Sequence, residues 1–245
     1  MKYSWKIYAS IVIYFLICIL TAISDAGSLQ ETQEGLWIIE RLSNLNKLLV
    51  LIAAFPFAAS FCEDIAKKYT NQVVLRSSPT IYIVAKIVMC SVTSFIISFV
   101  GLGLYSIFNT INLGTGINSR SVYPGYPFYD LFEKNWIGLY IVALIIPFAL
   151  VSAVYAVMGM MLSAIIPNRF VAVTAPLFMN TIMEIIFNIL PKKLSLLKIQ
   201  MSSLDNITST FGILGVSIMV CLGYTLIAGL VFSSYVRRRI NNELT

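Results

Sequence analysis

Three polar side chains spaced four residues apart interrupt an apolar stretch: Asn180, Glu184 and Asn188. Four residues advance an α-helix by one turn and about 40°, so the three side chains share one helical face. A carboxylate facing lipid would cost several kcal/mol, and this face is predicted to point towards protein or water. Two interpretations stay open. The face lines a translocation path or a subunit seam, or Glu184 anchors a helix end or an outer re-entrant hairpin over 185–199.

Residues for the common kinds of membrane enzyme chemistry are missing or scattered. The chain has no histidine, which removes the commonest general base and the commonest metal ligand. Glu184 has no second carboxylate in its own apolar stretch, and a phosphate-binding GxxxxGK[ST] motif is absent. Three of the aspartates, Asp64, Asp130 and Asp205, fall in different connections. The sequence therefore predicts no catalytic, metal or cofactor site on this chain.

The composition predicts an integral membrane protein. Of the 245 residues, 58% are hydrophobic and only 11% are charged, and the mean hydropathy is +0.85. Such a chain has too little polar surface to cover a soluble globule, so we predict an all-α polytopic protein with a single transmembrane domain, 1–245. The four cysteines fall inside or beside apolar stretches and are predicted to be small core side chains. The net charge of +6 is attributed to membrane orientation rather than to nucleic-acid binding.

Six apolar segments are predicted to cross the bilayer, which requires about 20 residues for each helix. Their approximate bounds are 7–23, 44–62, 80–108, 136–162, 170–190 and 210–235. The first is interpreted as a span rather than a cleaved signal, because no small-residue cleavage site follows it. Pro56 is expected to kink the second span. The hydroxyls of Ser91, Ser94 and Ser98 are expected to bond to the backbone of their own helix.

The distribution of lysine and arginine favours both termini in the cytoplasm. With six spans, ten of the 17 basic residues fall on the side of the termini and seven on the other side. The basic residues assigned to the cytoplasmic side are Lys2, Lys6, Lys67, Lys68, Arg76, Lys86, Arg169, Arg237, Arg238 and Arg239. The triple arginine after the last span and the lysine pair after the second span contribute most to this orientation.

The connection between spans two and three is predicted to form a short amphipathic cytoplasmic helix, with an ordinary solvated connection as the alternative. Pro79 is expected in the first turn of span three, where its missing N–H costs nothing. Lys86, further into that span, is expected to extend its ammonium group to the headgroups. The residues predicted to carry the function of this connection are Glu63, Asp64, Lys67, Lys68, Val73, Val74, Arg76 and Pro79.

An acidic residue at the end of span two, a short basic helix, a Ser-Pro pair and a lysine at the start of span three resemble the membrane subunits of ABC transporters of the ABC-2 exporter type, also called type V. The resemblance falls on Glu63, Pro79 and Lys86 and covers the six-span layout. It implies a permease subunit in the bacterial cytoplasmic membrane. The 63–79 connection would be its coupling helix, seated in a groove of a separate ATP-binding cassette ATPase that binds ATP and Mg.

The resemblance also implies a second permease subunit, identical or different, that meets this one through spans one and five around a central path. Peptides, drugs and lipids are all open as cargo, and the low charge of the path favours a hydrophobic or amphipathic molecule. The alternative is a membrane-embedded accessory, immunity or interaction protein without transport of its own. A secondary transporter is disfavoured, because one membrane carboxylate and no inverted repeat leave little for ion coupling.

Overall fold

The computed structural model describes residues 4–24, 43–58, 60–66, 78–113, 127–187, 194–200, 202 and 209–244. Over these ranges the chain forms nine α-helices and no β-strand. The helices are α1 Ser4–Ser24, α2 Ser43–Ala58, α3 Ser60–Ala66, α4 Pro79–Leu113, α5 Tyr129–Glu133, α6 Ile137–Ile165, α7 Arg169–Phe187, α8 Leu196–Gln200 and α9 Thr210–Leu244. The predicted all-α class is confirmed.

Five helical segments of the described chain are long and apolar enough to cross a membrane. They are Lys47–Ala66 in α2 and α3, Pro79–Ile111 in α4, Ile137–Ile165 in α6, Arg169–Ile186 in α7 and Thr210–Ile240 in α9. They are 18 to 33 residues long. A crossing needs about 20 residues, so the protein is a polytopic α-helical membrane protein. Helix α1 has a shorter apolar segment, Trp5–Leu20, and its crossing stays a prediction.

Helix α6 is the centre of the bundle. It contains no charged residue, and 61% of its most hydropathic stretch is buried. A helix that is apolar on all sides has no polar face to present to water and is covered by other helices. Helices α2, α4, α7 and α9 pack around it. Helix α1 packs against α2 and α4.

A hydrogen bond between buried serines links α4 to this central helix. The hydroxyl of Ser94 donates to the backbone oxygen of Ser152 on α6 at 3.1 Å. The expectation that Ser94 bonds within its own helix is therefore wrong, because an acceptor on the adjacent helix lies within reach. Ser91 does bond within α4, donating to the Val88 oxygen at 3.1 Å.

Helix α1 is seated on α4 through an aromatic ring and a glycine. The Tyr14 side chain is fully buried and lies over Gly101. A Cβ atom built on Gly101 would come within 2.5 Å of Tyr14 Cδ1, closer than two carbon atoms can approach. The absence of a side chain at this position therefore makes the notch that receives the ring.

Helices α6 and α7 form a tight hairpin. The turn between them is short, and Asn168 Oδ1 accepts a hydrogen bond from the Phe170 N–H at 2.9 Å, as expected of an N-cap residue. Further along the pair, a Cβ atom on Gly159 would lie 2.7 Å from Pro176 Cγ. The two helices approach each other closely because Gly159 has no side chain.

The short helices α5 and α8 pack at the end of the bundle opposite this turn. Helix α8 packs against α6 and α7, and its Leu196 and Ile199 are buried. Asp130 of α5 accepts a hydrogen bond from the Thr210 N–H at the start of α9, at 3.4 Å. The predicted outer hairpin over 185–199 is described only in part, since 188–193 lie outside the described residues.

Candidate functional site

A cluster of charged and aromatic side chains flanks the 67–77 connection, and we call it the stem cluster: Lys6, Glu63, Asp64, Tyr82 and Lys86. At its centre, Asp64 Oδ2 accepts hydrogen bonds from Lys86 Nζ at 2.7 Å and from the Tyr82 hydroxyl at 2.8 Å. The Lys86 and Asp64 side chains are only 19% and 13% exposed. Lys86 Nζ also lies 5.8 Å from the centre of the Tyr82 ring, within the range of a cation–π interaction.

The start of α4 positions two members of the stem cluster. Pro79 is the first residue of this helix. Ser78 precedes it, and both its backbone oxygen at 3.1 Å and its Oγ at 3.4 Å accept from the Ile81 N–H, which caps the first turn. Tyr82 and Lys86 then follow one turn apart, so they share the helix face that meets Asp64 of α3.

A second ion pair connects α1 to α3. Lys6 Nζ lies 3.3 Å from Glu63 Oε1, and the two side chains are 30% and 22% exposed. Greater exposure makes this pair weaker than the one at Asp64. The adjacent carboxylates Glu63 and Asp64 thus hold different neighbours, so the short helix α3 is tied to α1 on one side and to α4 on the other.

The structure brings together the ends of the connection predicted to couple to a partner. Glu63, Asp64 and Pro79 are described and lie at its two ends. Lys67, Lys68, Val73, Val74 and Arg76, the other five residues of that prediction, lie outside the described residues.

Sequence reasoning missed three contacts of the stem cluster. Lys86 was expected to extend its ammonium to the headgroups, and its ion pair with Asp64 was not foreseen. A carboxylate within hydrogen-bonding distance is a stronger partner for a partly buried ammonium than distant water. Lys6 was considered only for the orientation of the chain, and Tyr82 was not singled out, although the spacing of four between Tyr82 and Lys86 marks a shared helix face.

A third ion pair lies on the polar face of α7. Lys47 Nζ at the start of the α2 span lies 2.9 Å from Glu184 Oε2, with side-chain exposures of 21% and 33%. Asn180, one turn earlier on α7, is buried, while Asn188 lies outside the described residues. Glu184, which the sequence presented as a lone membrane carboxylate, therefore has a cationic partner. That partner is remote in the sequence and near only in the fold.

The two sites lie at opposite ends of one membrane segment. Lys47 begins the Lys47–Ala66 segment and Asp64 lies near its end, roughly 25 Å away along a helix. Across the described ranges, no group of three or more His, Cys, Asp or Glu side chains is placed to hold a metal ion. The four cysteines, all within the described ranges, are buried and form no disulfide. What both sites provide is electrostatic attachment between helices.

Comparisons with protein-family models, with curated proteins and with solved structures found no match.

Proposed function

We propose that this chain is the membrane-spanning permease subunit of an ATP-driven exporter, of the ABC-2 type that its sequence resembles. It would form half of a translocation path together with a second permease subunit, identical or different. A separate ATP-binding cassette ATPase would bind ATP and Mg and drive the permease through the 63–79 connection.

The observation that supports this proposal best is the attachment of Asp64 to both Tyr82 and Lys86. Residues on α3 and α4 are held together where the 67–77 connection leaves one helix and enters the other. If the end of α3 and the start of α4 were not bonded to each other, a force on the connection would only move these two helix ends apart. Because Asp64 Oδ2 is bonded to both Tyr82 and Lys86, the force would move the two helices together.

The same arrangement offers a route from the connection into the bundle. From Glu63, the ion pair with Lys6 leads to α1. From Lys86, the chain continues along α4, which is 35 residues long and packs against the central helix α6. As an α-helix of that length, α4 would extend roughly 52 Å, more than the hydrocarbon region of about 30 Å.

The proposal includes six spans with α1 as the first. Helix α1 has 21 residues and a length of roughly 31 Å, comparable with the hydrocarbon thickness. Six crossings place both termini on one side, and the bias of lysine and arginine assigns that side to the cytoplasm of a bacterial cell. The Asn180–Glu184 face of α7 would then line the path or the subunit seam near its outer end. The cargo would be a hydrophobic or amphipathic molecule such as a peptide or a drug.

The test is to change the apolar residues of the connection and follow a partner ATPase. The chain is purified from its native membrane, and Mg-dependent ATP hydrolysis and any co-purified polypeptide with a GxxxxGK[ST] motif are measured. The double variant V73D/V74D should lose this polypeptide and the activity while inserting into the membrane normally. The control Asn71→Asp adds a negative charge to the same connection without removing an apolar side chain and should retain both.

Equal recovery of ATPase from V73D/V74D and from wild type would contradict the coupling role of the connection. Purification of the wild-type chain without any ATPase would favour the accessory or interaction protein instead.

A further inference from the structure

The ion pair between Lys47 and Glu184 lies well inside the bundle, although both residues are near the outer ends of their own segments. A Cβ atom on Gly159 would touch Pro176, so these two residues are at the same level of the α6–α7 hairpin. Glu184 is roughly 12 Å further along α7, which brings it level with Val151 at the middle of α6. The central helix therefore continues roughly 21 Å beyond the ion pair at each end.

The two charges of this pair differ in how far they can move. Lys47 is the first residue of the apolar segment of α2, and its ammonium group is on a flexible four-carbon stem that can extend towards the headgroups. Glu184 has a shorter side chain within α7 and stays at its depth. An unpaired carboxylate at that depth would cost several kcal/mol, so Glu184 needs another cation whenever Lys47 leaves it.

Glu184 has the capacity to accept hydrogen bonds from a second ammonium group. Lys47 Nζ is bound to Oε2, and within the described part of the chain no other residue donates to Oε1. The Glu184 side chain is also the more exposed of the pair, at 33% against 21%. Asn180 is buried one turn earlier on the same face, and its amide carries a further acceptor oxygen. A carboxylate and an amide oxygen within one helical turn suit an ammonium ligand.

An exposed apolar face of α7 lies beside these acceptors. Phe178, Ile182 and Ile185 are 58%, 46% and 62% exposed. They are about 130° around the helix axis from Glu184, roughly 10 Å over the helix surface. Only 22% of the α7 segment is buried, the smallest share among the five candidate spans. A molecule with a charged end and a hydrocarbon chain can therefore reach both faces from the lipid.

We propose that Glu184 and Asn180 bind the ammonium group of a cationic amphiphile, which replaces Lys47 at the carboxylate. The hydrocarbon chain of this ligand lies on the apolar face of Phe178 and Ile182. The exchange keeps the carboxylate paired, since one ammonium takes the place of another. An anionic ligand of Lys47 is disfavoured because it would leave Glu184 unpaired. As an assignment of the cargo, the inference rests on the proposed exporter function, whereas the binding site itself does not.

The test uses the purified full chain in dodecyl maltoside micelles, which contain no ammonium group. Two fluorescent probes with equal alkyl chains are compared, one ending in a primary ammonium and the other in a sulfonate. Binding is measured by fluorescence polarisation against micelles without protein. The wild-type chain should bind the ammonium probe at least about tenfold more tightly than the sulfonate probe. Equal affinities would overturn the proposal, and this comparison needs no variant to fold.

Substitutions at the ion pair should act in opposite directions. Glu184→Gln should weaken binding of the ammonium probe about tenfold, because it removes a charge-assisted hydrogen bond. Lys47→Met should strengthen it by about threefold or more, because the competing ammonium is gone. An ion pair that only holds α2 against α7 would make the two variants behave alike, so weaker binding by Lys47→Met would overturn the exchange. Glu133→Gln, an exposed acid on α5, is the control and should change the affinity less than about twofold.

Phosphatidylethanolamine has an ammonium group and hydrocarbon chains as well, so it is added to the micelles as a competitor. It should displace the probe far less than an unlabelled alkylammonium does. Equal displacement would assign the site to a membrane lipid and overturn its role in binding cargo. A chain that co-purifies with an ATPase but binds both probes equally would overturn this site alone. Selective binding of the ammonium probe by a chain without any ATPase would overturn the exporter and retain the site.

Discussion

Lys86 Nζ on α4 lies 2.7 Å from Asp64 Oδ2 on α3, and both side chains are more than four-fifths buried. Charges in such surroundings have lost most of their contact with water and are stable only while each has its partner. The Tyr82 hydroxyl binds the same carboxylate oxygen. The end of α3, which precedes the 67–77 connection, is therefore bonded to the first turns of α4, which follow it.

Asp64→Asn should lower the free energy of unfolding by about 2–3 kcal/mol, because it leaves the Lys86 ammonium partly buried without a counter-charge. Unfolding in mixed detergent micelles, followed by tryptophan fluorescence, measures this change. The double variant D64N/K86M should lose less than the sum of its two single variants, since the unpaired charge is then removed.

Glu63→Gln serves as the control for that experiment. Its pair with Lys6 is more exposed and should contribute less than about 1 kcal/mol. A loss in Asp64→Asn no larger than in Glu63→Gln would contradict the central place of Asp64 in the stem cluster.

If the chain is the permease subunit proposed above, Glu184→Gln should reduce export or the stability of the dimer, because it breaks the ion pair between α2 and α7. Lys47→Met should have a similar effect, and the charge exchange K47E/E184K should restore part of the loss. The measurements are cargo export from cells and the dimer fraction on size-exclusion chromatography. Glu133→Gln, an exposed acid on α5, is the control. Wild-type behaviour of Glu184→Gln in both assays would leave only the helix-anchoring interpretation.

Gly159→Ala should destabilise the protein by about 1–3 kcal/mol, because the added Cβ would meet the rigid ring of Pro176 at 2.7 Å. Thermal unfolding in detergent measures the effect. Gly103→Ala is the matched control: this helical glycine has nothing within 4 Å of an added Cβ, and alanine should be neutral or favourable by up to about 1 kcal/mol. Adding Pro176→Ala should relieve the loss, and no relief would show that the α6–α7 contact is not its cause.

A reporter fused after Thr245 should lie in the cytoplasm if the chain crosses the membrane six times with both termini inside. Alkaline phosphatase and green fluorescent protein fusions, which are active on opposite sides, give complementary readings. A fusion after Gly116, in the second predicted outer connection, is the control and should give the reverse pattern. An exported reporter at Thr245 would require either the opposite orientation or a chain in which α1 does not cross.

Much of the fold could be predicted from the sequence, because membrane helices are defined by long uncharged runs. The run after Trp136 has no charge as far as Pro167, and the helix at the centre of the bundle, α6, lies within it. Pro79 was expected in the first turn of a helix because its missing N–H costs nothing there, and α4 begins at Pro79.

The contacts between distant segments could not be predicted from the sequence. Nothing in the sequence links Lys47 to Glu184 or Lys6 to Glu63, because attraction between charges depends on a distance that only the fold determines. The hydrogen bond from Ser94 to the Ser152 oxygen was missed for a related reason. A serine in a helix can bond within its own helix or across to another, and packing decides between the two.

The fit of Tyr14 over Gly101 fixes how deep α1 sits relative to α4. The apolar part of α1, Trp5–Leu20, is shorter than the other candidate spans, and a short apolar helix in a bilayer is free to change its tilt or depth at little cost. Sliding α1 along α4 would lift the ring out of its notch and against the neighbouring side chains. The position of α1 along α4 is therefore set by contact within the protein.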